Sequence, residues 1–167
     1  MGVQNISRQE ANEKIKELAK KADVCMFTTS LTKLPLITRP MSTRDVDNDG
    51  SIWFFSRDGS DKNLEISADN RVQLFYSNSS SSEYMSLYGK ATILKDARKA
   101  KELWSAIAKT WFNEGYDDPE LTLIKIEPEE GYYWDTKDGK VISLLKMVAG
   151  ALAGKEFNTG VEGSVKV

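Results

Sequence analysis

The chain has no histidine and a single cysteine among its 167 residues. Without histidine, Ser-His-Asp and Cys-His catalysis are excluded, as is every metal site that needs an imidazole. One cysteine excludes an intrachain disulfide framework and a CxxC zinc pair. Positive charge is not in excess. Lys+Arg number 23 against 25 Asp+Glu, a net charge of −2, which argues against a nucleic-acid binder held by bulk charge. Long apolar runs are missing too. The longest, over 141–153, is broken by Ser143, Lys146 and Gly150 and falls short of the roughly 18–20 apolar residues of a membrane span. The first 21 residues carry no signal-peptide core. The expectation is a cytoplasmic protein with neither membrane nor nucleic acid as partner. Neither G-x-G-x-x-G nor a P-loop lysine motif occurs.

What remains is the composition of a folded domain, with 40% hydrophobic and 29% charged residues. Ser7 and Glu10 form a capping box, and Ile15, Leu18, Ala19 and Ala22 share a face, predicting a helix over 7–21. Strand signals follow at 24–30, 36–43, 51–56, 71–78, 83–95, 121–128 and 130–136. Asp49-Gly50 marks a hairpin turn. The spread of Asp45, Asp47, Asn48 and Asp49 is better read as that turn than as a calcium loop. Gly89, inside an alternating strand, predicts a bulge or bend. Ser60 caps a short helix over 61–67. Ala97, Ala100, Leu103, Trp104, Ile107, Ala108 and Trp111 predict an amphipathic helix, as do Val141, Leu144, Leu145, Val148, Ala149 and Leu152. Seven strand segments with sparse helices point to a mainly β, α+β fold built on an antiparallel barrel. Residues 1–153 are read as one domain and 154–167 as a flexible tail.

Few residues stand out chemically. Arg39 lies in a strand beside Pro40, whose missing N–H places that strand at an edge or a break. It is either a solvated edge arginine or an anion ligand. Lys62 falls in the first turn of a helix, where an anion is welcome and a lysine is not. An exposed lysine remains an equal reading. Trp104 belongs to the core, whereas Trp111 and Trp134 sit near element ends, where a ring can stack on a planar ligand. Cys25 reads as inert packing.

The ordered set of these pieces carries a resemblance. It runs through T-R-P-M at 38–41, the D-V-D-N-D-G turn, W-F-F-S at 53–56, S-D-K at 60–62, Y-M-S-L-Y-G at 84–89 and Y-Y-W-D at 132–135. Over residues 7–145 the chain resembles the general-stress-protein branch of the pyridoxamine 5′-phosphate oxidase-like, FMN-binding split-barrel proteins. The resemblance implies a six-stranded antiparallel split barrel with flanking helices. It also implies a homodimer with FMN, in preference to FAD, at its interface. By position, Arg39 and Lys62 match the family's phosphate-binding residues, and Pro40 and Met41 the segment facing the flavin ring. Phe55 and Ser56 match its aromatic–hydroxyl pair, and Ser60 the small residue before the lysine. Trp134 matches a late-strand tryptophan, and Trp111 an aromatic reaching the flavin from the partner chain. Asp61 replaces a basic residue of the true oxidase, and the oxidase's terminal Arg-x-His segment is absent. Pyridoxamine phosphate oxidation is therefore not expected. An FMN-dependent oxidoreductase is the leading expectation. A flavin carrier or sensor without turnover, or a dimeric scaffold that holds no flavin, is the alternative. No catalytic residue and no metal ligand can be assigned.

Overall fold

The computed structural model describes residues 2–3, 8–136 and 160–166. Among these, α1 (Arg8–Ala22) opens the fold. Ala11, Ile15, Leu18 and Ala19 face inward from it and are fully buried, as the spacing predicts. Its expected cap, Ser7, lies outside the described residues, as does the helix expected over 141–152. The strands are β1 (Gly2–Val3), β2 (Val24–Thr29), β3 (Ile37–Ser42), β4 (Asp45–Val46), β5 (Ile52–Arg57), β6 (Arg71–Asn78), β7 (Glu83–Leu94), β8 (Leu121–Thr136) and β9 (Gly160–Lys166). Two helices, α2 (Asp61–Ala68) and α3 (Ala97–Glu102), and two 3-10 turns, Ala106–Thr110 and Gly115–Asp117, complete the described elements.

The strands run β9-β8-β7-β6-β2-β3, each pair antiparallel, and β5 pairs with the first half of β8 on the edge away from β7. β1 pairs in parallel with β9. This curled sheet is the split barrel, with β2, β3, β5, β6, β7 and β8 as its main strands. Alternation sets its inner face. Phe27, Phe54, Val72, Leu74, Leu87 and Ile124 all point inside and are buried, because strand side chains alternate in direction. Phe27 and Phe54 meet edge to face, with centroids 5.3 Å apart. Cys25 joins this core, and burial pushes its thiol up to about 12.

β5 is buried on both faces. Its outward Trp53 and Phe55 pack with Leu103, Phe112, Leu121 and Trp104 in a second cluster beneath α3 and the 3-10 turns. The two differ from expectation here. The helix predicted over 97–111 ends at Glu102, and Ser105 is extended (φ −136°, ψ 158°) before the 3-10 turn begins. The apolar period is served by two short pieces wrapped around a corner of the sheet, because Trp104 and Phe112 both pack on Phe55.

Two other expectations are corrected. The segments 121–128 and 130–136 are one strand, β8. The proline between them, Pro128, is absorbed where the β7–β8 register shifts at Tyr88/Gly89, leaving Glu129 as the extra residue. Gly89 marks that bulge as its position suggested. A Cβ there would stand 2.4 Å from the Glu127 carbonyl oxygen. Within the stretch expected as a tail, residues 160–166 form β9 against β8. Finally, the acidic turn is a hairpin between β4 and β5. Asp47 accepts from Trp53 Nε1 at 2.7 Å, and Asp49 from the Ser51 amide at 2.9 Å. Among the described residues, no helix is long and apolar enough to cross a membrane.

Candidate functional site

The barrel is open between β3 and β5. Among the described residues β3 pairs with β2 alone, and β5 pairs with β8 and the two residues of β4. Pro40 sits opposite Met26 in the β2–β3 ladder. Lacking an N–H, it can occupy only a position whose amide faces away from the partner strand. The free backbone edge of β3 therefore looks into the split. A cavity of about 350 Å³ fills this split, lined by Pro40, Met41 and Ser42 of β3, Phe55, Ser56 and Arg57 of β5, and Lys62 of α2. Arg44, Ala108, Trp111 and Phe112 complete its wall. That volume lies within the range of small-molecule sites, roughly 300–1,000 Å³.

A buried polar network holds α2 against this cavity. Ser56 donates to Asn63 Oδ1 at 2.6 Å, Asn63 Nδ2 donates to Thr122 Oγ1 at 3.0 Å, and Thr122 donates to the Ser56 carbonyl at 3.0 Å. All three residues are buried. The chain thus fixes the N-terminus of α2 on β5 and β8 by mutual satisfaction of groups that would be costly alone. Ser60 is the N-cap residue: its carbonyl accepts from the Asn63 and Leu64 amides, but its side chain caps no helix N–H. Its hydroxyl instead lies 3.3 Å from both Ser56 Oγ and Lys62 Nζ.

Lys62 is half-buried, and its ammonium forms no ion pair among the described residues. Desolvation, then repulsion by the guanidinium groups of Arg39 and Arg57, lowers its pKa below the ordinary lysine value. A cation held at such a cost is suited to receive an anion. Arg57 pairs with Glu120 and donates to the Trp111 carbonyl at 2.8 Å, which ties the 3-10 wall to β5. Arg44 lies over the Phe55 ring at 6.0 Å and donates to the hydroxyls of Ser42 and Ser105.

Six of the nine residues expected at a site line this cavity: Pro40, Met41, Phe55, Ser56, Lys62 and Trp111. Ser60 touches Lys62 at its rim. Arg39 lies behind it, bound to Glu65 Oε2 at 2.8 Å and to Thr29 Oγ1 at 2.6 Å. Trp134 is elsewhere in the chain. It stands near the far end of β8, stacked at 4.8 Å from Tyr132 and opposite Tyr84. Arg44 and Arg57 are cavity residues that the sequence reading missed. Arg57 alternates in step with Phe55, a signal that was available. Arg44 sits in a connection with no periodic pattern to single it out.

Comparison with known proteins agrees with this architecture. The family described as "Pyridoxamine 5′-phosphate oxidase like" matches residues 10–158. The chain belongs to this family. A stretch of 47 residues is 40% identical to general stress protein 26 of Bacillus subtilis (strain 168), covering 28% of this chain and 33% of that protein. The match thus spans about a third of the curated relative's length. The structure of a candidate general stress protein 26 from Jannaschia sp. CCS1 superposes with a TM-score of 0.81 at 23% identity, over 96% of this chain and 100% of that one. The general stress FMN/FAD binding protein of Xanthomonas citri superposes with a TM-score of 0.64 at 23% identity, over 75% and 89% of the two chains. These structural likenesses establish the split-barrel fold.

Proposed function

We propose that this protein binds FMN in the β3–β5 split, with the phosphate at the N-terminus of α2 and the ring along the free edge of β3. The observation that carries this reading is Lys62, a half-buried ammonium without an ion pair, lining a cavity whose other walls are largely apolar. The fit is chemical. A phosphate monoester meets Lys62, the first-turn amides of α2 that Ser60 leaves uncapped, and Arg39 behind them. A flat ring meets Pro40, Met41 and the Trp111 side chain, which is 56% exposed. A bound flavin supplies electron or hydride transfer at its ring. This chain's own residues bind, orient and exclude water.

A flavin carrier or sensor is the second reading, and one observation favours it. Among the described residues the cavity lining contains no carboxylate, and the chain has no imidazole, so these walls offer no such general base at neutral pH. A second copy of the chain is the expected partner. Exposed Met26 and Phe75 face each other across β2 and β6, and Tyr84 and Trp134 across β7 and β8, giving one apolar sheet face. Such a face would place Trp134 at the interface rather than in its own chain's cavity.

The test is an absorbance scan of the purified protein, followed by FMN titration read through flavin fluorescence. Saturable quenching near one FMN per chain is the expected outcome. A colourless protein that ignores micromolar FMN would remove the flavin reading and leave the fold. Anaerobic bleaching by NADH or NADPH then separates an oxidoreductase from a carrier. A monomer by size analysis would remove the interfacial site.

A further inference from the structure

Arg39 already has a carboxylate. Its guanidinium donates to Glu65 Oε2 at 2.8 Å and to Thr29 Oγ1 at 2.6 Å, and the Thr29 hydroxyl donates to the same Glu65 oxygen. Three elements, β2, β3 and α2, therefore close one triangle of charge-assisted hydrogen bonds. The arginine and glutamate side chains are only 23% and 17% exposed. Burial raises the Glu65 carboxyl, but the Thr29 bond, the Arg39 bond and the charges of Arg39 and Lys33 outweigh it and leave the carboxyl below its usual range. Lys62 stands one turn earlier on the same helix, close enough to be repelled by Arg39.

Glu65 therefore does two opposed things. It fixes the fork of Arg39 beside the N-terminus of α2. It also cancels the charge of that fork where an anion would arrive. A phosphate monoester carries close to two negative charges at neutral pH. It has to share Arg39 with Glu65 or do without it. Lys62, by contrast, has a neutral hydroxyl as its hydrogen-bond partner and feels Asp61 and Glu65 only at longer range, outweighed by burial and the neighbouring guanidinium groups.

We propose that Glu65 is a built-in competitor for Arg39, making Lys62 the principal phosphate ligand and setting how tightly this cleft holds a flavin phosphate. The identity of the ligand rests on the flavin reading above; the competition itself concerns any phosphate monoester. The arrangement trades affinity for exchange. With Arg39 held back, the cofactor stays releasable, which suits a protein that picks up and gives up its flavin.

Three probes test this on the full chain: FMN, riboflavin, which has the same ring without the phosphate, and inorganic phosphate. Glu65→Gln keeps an acceptor for Arg39 and Thr29 while removing the charge. It should tighten FMN by about tenfold and riboflavin by less than about twofold. Removing both members of the pair, Arg39→Ala with Glu65→Gln, should leave FMN binding within about threefold of the unaltered protein, Lys62→Ala should weaken it by about thirtyfold, and Arg39→Ala added to Glu65→Gln should cost about tenfold. Weaker or unchanged FMN binding in Glu65→Gln, or an equal change for riboflavin, would overturn the inference. If Glu65→Gln does not fold, Glu65→Ala combined with Arg39→Ala replaces it, and a loss equal to that of Lys62→Ala overturns the inference. If FMN binds to none of the proteins, the flavin reading fails on its own. The thermal shift with inorganic phosphate then decides the competition. A larger shift in Glu65→Gln supports it, and equal shifts overturn it.

Discussion

On one side of the molecule, β6, β7 and the first half of β8 each have hydrogen-bonded neighbours on both edges. Leu74, Leu87 and Ile124 beneath them are at most 1% exposed. On the other side, β3 ends the sheet, and β5 faces it across a cavity rather than a ladder. Here the side chains are partly exposed, and the cations Arg39, Arg44, Arg57 and Lys62 gather. The closed side spends its sequence on apolar burial, which is non-directional and stabilises in proportion to area. The open side keeps a backbone edge and, beside the paired Arg39 and Arg57, the ammonium of Lys62 without an ion pair among the described residues, features that become useful when an anion and a flat ring arrive. The Asn63–Ser56–Thr122 network joins the two regimes, since it ties α2 to β5 on the open side and to β8 on the closed side.

The largest effect expected is on the closed side. Phe54→Ala removes a fully buried ring that meets Phe27 and should cost about 3–5 kcal/mol in urea unfolding. A loss below about 1 kcal/mol would mean that the core is not organised around that contact. Next, converting Arg39 and Lys62 together to Ala should leave stability within about 1–2 kcal/mol but lower FMN affinity by at least about a hundredfold. Wild-type affinity in that double variant would remove the phosphate assignment. Asn63→Ala, at the junction, should blur the distinction. It strands Ser56 and Thr122 and should cost about 1–3 kcal/mol, with FMN binding weakened less than in the double variant. Unchanged stability would show that α2 is held by apolar contact alone.

The smallest effect is a pH dependence confined to the open side. The folded pKa of Lys62 is lower than its unfolded value near 10.5, because burial and neighbouring guanidinium groups disfavour its charge. The unfolded chain therefore binds the extra proton between the two values. The contribution of Lys62 to the stability of the ligand-free protein rises with pH through that alkaline window. The FMN affinity falls in the same window, because the phosphate loses its ammonium partner. Titrations of FMN at several alkaline pH values, compared between the wild type and Lys62→Ala, would show this slope only where Lys62 is present. An identical slope in both would assign it to another group.

Much of this was legible before the fold was seen. The periods of α1, β6 and β7 follow from where Ile15, Leu74 and Leu87 fall along the chain, because a side chain's direction depends only on local geometry. Gly89 announced its bulge, and Lys62 its place at a helix start. What escaped was set by packing. The helix predicted over 97–111 broke because Trp104 and Phe112 had to reach the same ring, Phe55, from two directions. Nothing local distinguishes Arg44 from a solvated arginine. Trp134, matched to the site by resemblance, lies outside this chain's own cavity, near the far end of β8.

The sequence by itself therefore determined α1, α2, the main strands with their buried faces, and the chemistry that was excluded, above all by the absence of histidine. These are properties of composition and of spacing within a few residues. Only the tertiary structure decided that β3 and β5 face each other without pairing, that Arg57 and Lys62 share one cavity with Pro40, and that Glu65 holds Arg39. Arg39 and Glu65 are 26 residues apart. Their meeting depends on the register of β3 on β2 and on the way α2 is fastened to β5. Both are long-range consequences of burying one continuous apolar face.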